Sequence, residues 1–233
     1  MEAKAVEISH VWSWFIRGWQ LFTLSPWMWM GVTLLAMVIA VVALVFIPGY
    51  GGVVVAFLVP TLYGGLLYGA GELENEHRLK PEYLFRGLSE EDKTVQFVML
   101  GGLSVGVYYL LLLITLLTIR SGGGRVFTLE SMITSGLPLV YLAGIAVLSI
   151  ALLYACPLVM FAGVRTATAL KSNLEAFRKN PLPLLLFGAV WLGLSILAAI
   201  PIGLGFLVLL PVTICALYCS YRDIYGYVSA PGF

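Results

Sequence analysis

The densest run of polar and aromatic side chains in this sequence is Tyr218-Cys219-Ser220-Tyr221-Arg222-Asp223-Ile224-Tyr225-Gly226. An adjacent guanidinium and carboxylate flanked by tyrosines suit docking of a partner or of a lipid headgroup; the competing use is an aromatic belt with a snorkelling arginine. With Trp12 and Trp19, the residues Tyr221, Arg222 and Asp223 make up the candidate docking or headgroup-binding set. A second set, Thr61, Tyr63 and Thr213, follows the prolines Pro60 and Pro211. These hydroxyls would line a cavity if bent helices enclosed one, or else make ordinary interhelical hydrogen bonds worth about 0.6–2 kcal/mol each. Cys215 and Cys219 lie one helical turn apart, but a metal or redox site needs two more soft ligands and only Cys156 is on offer. They read as buried structural thiols. Glu72, Glu74, Glu76 and His77 lack the spacing of a calcium loop and read as a solvated helix end. No metal and no cofactor is expected.

The sequence also excludes chemistry. No Asp, Glu, Lys, Arg or His falls in the middle of an apolar segment, and proton relays, ion-coupled pumps and voltage sensors need such a group. There is no histidine placed to activate a serine, no pair of buried aspartates and no His-Glu-x-x-His. An enzyme is not expected. Nucleic acid is not an expected partner either, although the net charge of +1 by itself says nothing about partners.

The elements that must position these residues follow from charge spacing. From Arg17 to Glu72 the chain runs 54 residues without a charged side chain, and from Lys179 to Arg222 another 42. One helix of 54 residues would be ~80 Å long, against a hydrocarbon layer of ~30 Å. Each run therefore doubles back. Six spans are predicted, at about 27–47, 53–71, 95–119, 137–163, 182–200 and 202–221, forming an all-α membrane protein of three helical hairpins. The first and last hairpins turn at Pro48-Gly49-Tyr50-Gly51-Gly52 and Pro201-Ile202-Gly203; the middle one has a longer loop from Arg120 to about Ser135. An even number of spans puts both termini on one side, which collects 11 of the 13 Lys and Arg residues; only Arg120 and Arg125 lie opposite. The positive-inside rule makes that side cytoplasmic. Apolar residues at 61% and charged ones at 11% leave no room for a separate soluble domain, so residues 1–233 form a single membrane domain. No cleavable signal peptide is expected.

A weak threefold repeat runs through it, about 7–72, 82–164 and 167–224, each unit an amphipathic cytoplasmic-side segment followed by a hairpin. Ile8, Trp12, Phe15, Trp19 and Phe22 share one helical face, the pattern of a helix lying in the membrane interface. Leu170, Leu174 and Phe177 repeat it, with Lys171, Glu175 and Arg178 on the wet side. Phe15-Ile16-Arg17-Gly18-Trp19 is echoed by Leu84-Phe85-Arg86-Gly87-Leu88, and Pro60, Pro157 and Pro211 stand in corresponding returning spans. Such prolines kink helices. Gly65-x-x-x-Gly69, Gly102-x-x-x-Gly106 and Ala36-x-x-x-Ala40 are small-residue faces for close packing or self-association.

The ending from Leu210-Pro211-Val212 to Tyr218-x-x-Tyr221-Arg222-Asp223-Ile224, the opening Gly18-Trp19-Gln20-Leu21-Phe22 with Pro26, and the stretch Leu174 to Pro181 resemble a family of bacterial six-span inner-membrane proteins with no assigned activity. The resemblance implies a multi-pass protein of the bacterial inner membrane and carries no catalytic residues. The expected role is binding, as an accessory subunit, assembly factor or scaffold of a membrane complex. Its expected partners are membrane lipids and other inner-membrane proteins or further copies of itself. Transport of a lipid or small uncharged solute, or regulation by membrane state through the interfacial helices, are the alternatives.

Overall fold

The computed structural model of the chain describes residues 2–75, 77–121 and 136–226. In order it contains α1 (His10–Leu24), α2 (Pro26–Phe46), α3 (Gly51–Glu74), a 3-10 segment (Pro81–Leu88), α4 (Glu91–Ser121), α5 (Leu137–Leu153), α6 (Ala155–Ala162), α7 (Thr166–Lys179), α8 (Pro181–Ala199) and α9 (Phe206–Tyr225). No strand occurs among the described residues. Proline opens α2 and α8, where its missing N–H costs nothing. Gly49 and Gly203, at φ +80°, turn the chain between α2 and α3 and between α8 and α9, a conformation in which a Cβ would clash.

Six helical stretches are long and apolar enough to cross a membrane: α2, α3, α4, α5 with α6, α8 and α9. Each long uncharged run holds two of them, and the two in each run touch one another. The largest departure from the predicted boundaries is at α9, which begins at Phe206 because Pro201 to Gly205 are spent in the turn. α9 is the central rod: 67% of its apolar window is buried inside the protein, against 22% for α2 and for α8.

The shorter elements dock on these rods in a cyclic pattern. α1 rests mainly on α9, the 3-10 segment on α3, and α7 on α6. The helix that receives each one carries Pro211, Pro60 or Pro157. The apolar face predicted for α1 is divided between two surroundings. Ile8, Trp12 and Trp19 remain exposed with Ile16, but Phe22 is buried and Phe15 stacks on Phe187 at 4.7 Å. The buried strip is Val11, Trp14, Gly18, Leu21 and Phe22. Gly18 decides this: a Cβ there would meet Ala216 backbone atoms at 2.7 and 2.9 Å, so only glycine lets α1 lie this close to α9. α7 likewise buries its small and polar side, Thr166, Ala169, Ser172, Asn173 and Ala176, and leaves Leu174 exposed.

An extended strap closes the ring. Lys4 N–H donates to the Ile224 carbonyl at 2.8 Å, and the Asn180 side-chain amide accepts from Val6 N–H at 2.8 Å and donates to the Lys4 carbonyl at 2.9 Å. Lys179 reaches the Ala3 carbonyl. Its hydrogen bond to the Glu175 carboxylate, at 2.6 Å, holds its ammonium above the ordinary lysine range. Both ends of the described chain thus lie at one end of the bundle.

Candidate functional site

Two polar centres stand out. The first is inside the bundle, at the break between α5 and α6. Pro157 has no N–H to give the Leu153 carbonyl, and the Tyr63 hydroxyl of α3 donates to that carbonyl instead, at 3.0 Å. One residue along, the Asn173 amide inserts between two groups that an unbroken helix would pair. Tyr154 N–H donates to its Oδ1 at 3.0 Å, and its Nδ2 donates to the Ile150 carbonyl at 2.9 Å. Tyr154 Oη meets Ser220 Oγ of α9 at 3.1 Å, and Ser220 Oγ donates onward to the Leu217 carbonyl. Polar groups buried at this depth have no water to fall back on, and here each is matched.

The second centre is a cleft of about 490 Å³ at the end of the bundle where Lys4 meets Ile224. α1 supplies Arg17, Gln20, Leu21 and Leu24; α3 contributes Glu74; α9 contributes Cys219, Arg222 and Asp223. Arg222 pairs with Glu74 and lies over the Tyr218 ring, 5.9 Å from its centroid, while Tyr218 Oη donates to Glu74 at 2.8 Å. Asp223 Oδ2 accepts from Trp14 Nε1 at 2.8 Å and meets His10 Nδ1 at 2.6 Å. Both contacts fall on one carboxylate oxygen, Oδ2. Arg17 has no ion pair or hydrogen bond among the described residues.

The predicted docking set is therefore brought together only in part. Arg222 and Asp223 line the cleft. Trp12 and Trp19 are on its supporting helix but turn outward, 57% and 50% exposed. Tyr221 is 1% exposed and stacks on Phe161 at 5.7 Å, on another side of α9; its hydroxyl has no partner among the described residues. Of the predicted cavity set, Thr61 is buried, Thr213 is buried and donates to the Leu209 carbonyl of its own helix at 2.7 Å, and Tyr63 serves the helix break. Sequence reasoning passed over Arg17, Gln20, Trp14 and Asn173. Arg17 was legible as the match of Arg86; Asn173 carried no local signal, because its use depends on a break in another helix.

Cys156, Cys215 and Cys219 are free and buried. Glu72 meets His77 at 3.0 Å, Glu76 and Arg125 lie outside the described residues, and no group of three metal-binding side chains occurs among those described. The fold defines a multi-pass helical membrane protein. Comparison with known proteins adds no narrower identity: no family model, curated protein or solved structure matches the chain.

Proposed function

We propose that this chain is a non-enzymatic membrane protein that works by binding, as an accessory subunit, assembly factor or scaffold of a complex in a bacterial inner membrane, with both termini cytoplasmic. The observation that supports this most is where uncommitted polarity sits. Inside the bundle Tyr63, Asn173 and Thr213 are spent on backbone groups. At the end of the bundle Arg17 lines a cleft and has no ion pair or hydrogen bond among the described residues. A conduit for solutes would draw on hydroxyls facing a shared lumen, and a hydroxyl bonded to a carbonyl is poorly placed to serve a passing molecule.

The test is extraction of the tagged full chain from native membranes in mild detergent, followed by identification of what accompanies it. A second polypeptide in fixed ratio, reduced when Arg17→Glu is introduced, is the expected result. Recovery of the lone protein or a homo-oligomer overturns the reading.

A further inference from the structure

The chain carries a second copy of the Arg17 arrangement, and there the arginine has an ion-pair partner and a ring beneath it, although its Nε has no hydrogen-bond partner among the described residues. Arg86, in the matching Phe/Leu-x-Arg-Gly pattern, is 3.1 Å from Glu90 and sits over the Tyr68 ring, 5.4 Å from its centroid. Glu90 is four residues after Arg86; four after Arg17 stands Leu21. Tyr68 is eight residues after Pro60; eight after Pro211 stands Cys219. The receiving helices are met at corresponding positions, Ala216 by Gly18 and Gly65 by Tyr83 with Leu84, each five residues after the proline, while Gly87, the match of Gly18, packs against Phe97. Replacing the carboxylate by Leu21 and the ring by Cys219 removes both partners of Arg17. The cleft is at that position, and both replacements line it.

Its formal charges balance: with Arg222 paired to Glu74, the lining leaves the guanidinium of Arg17 and the carboxylate of Asp223, which also meets Trp14 and His10, in the same space. A simple anion would satisfy the first and be repelled by the second. A ligand carrying a phosphate and an ammonium satisfies both. The remaining wall is apolar, and Leu24, 64% exposed, leads to Trp27, 83% exposed at the start of α2. We propose that the cleft holds the phosphoethanolamine headgroup of a glycerophospholipid, with phosphate on Arg17 and Gln20, the primary ammonium on Asp223, and the first acyl carbons against Leu21 and Leu24. This rests on the cleft being the binding surface named above.

The experiment is native mass spectrometry of the full chain released from vesicles of equal parts phosphatidylethanolamine, phosphatidylglycerol and phosphatidylcholine. Phosphatidylethanolamine should be retained over the other two, the glycerol headgroup lacking the ammonium and the choline headgroup lacking its N–H donors. Arg17→Gln should lower that retention about tenfold, the scale of one charge-assisted bond. Arg17 makes no ion pair or hydrogen bond among the described residues, so this variant should remain folded, and an unchanged melting temperature verifies it. Equal retention of phosphatidylglycerol, or retention unaffected by Arg17→Gln, overturns the proposal. Displacement of the lipid by soluble phosphoethanolamine at the lipid's own concentration overturns the lipid as source. Failure here, alongside a polypeptide whose recovery depends on Arg17, would leave the binding role standing and reject only the headgroup.

Discussion

Pro157 and Asn173 form one device, since the proline opens a carbonyl and the asparagine occupies the break that follows. The Asn173 amide meets two backbone groups at once, the Tyr154 N–H and the Ile150 carbonyl; Tyr63 meets one, the Leu153 carbonyl. A buried backbone group left unpaired costs about 1–3 kcal/mol. Asn173→Leu should therefore destabilise by about 2–4 kcal/mol and Tyr63→Phe by about 1 kcal/mol. Thermal unfolding in one fixed detergent measures both, and equal losses would show that the amide does not bridge the break. Neither role was visible at the positions themselves. Tyr63 read as a cavity hydroxyl because sequence shows that a polar group follows a kink, not which carbonyl of another helix it meets.

At the scale of elements, glycine governs how closely the short helices dock. A Cβ on Gly18 would collide with Ala216, whereas one on Gly102 or Gly106 would meet nothing within 4 Å. The two sites should respond with opposite signs. Gly18→Ala should cost about 1–3 kcal/mol through overpacking, and Gly102→Ala should gain up to about 0.5–1 kcal/mol from helix propensity. Melting temperatures of the two variants decide it, and a loss at both would place Gly102 in a contact. The small-residue spacing was equally plain at Gly65-x-x-x-Gly69 and Gly102-x-x-x-Gly106. Among the described residues only the first of these serves a contact, receiving Tyr83 and Leu84 at Gly65 and Leu79 at Gly69, because what lies opposite a small residue is set by long-range packing.

At the scale of the whole molecule, the strap that ties Lys4 to Ile224 and Asn180 places both ends of the described chain at one end of the bundle, beside the cleft. The excess of Lys and Arg argues that this end faces the cytoplasm. Tyr50 and Ile202 lie in the turns between α2 and α3 and between α8 and α9, 68% and 97% exposed. In intact cells, Tyr50→Cys and Ile202→Cys should react with a membrane-impermeant thiol reagent, and Lys4→Cys should react only after permeabilisation; the native cysteines are buried and silent. Labelling of positions 4 and 50 from the same side would remove the crossing of α2 between them, and labelling of position 4 alone in intact cells would reverse the topology. The number of helices long and apolar enough to cross was legible in the chain itself, because bilayer thickness converts an uncharged length directly into a count of helices. Which faces of α1 and α7 turn inward, that Asn173 mends a broken span, and that Arg17 stands without the partners Arg86 keeps were decided only by the tertiary structure. Those outcomes depend on atoms brought together from distant parts of the chain, and hydropathy carries no information about which side chains will meet.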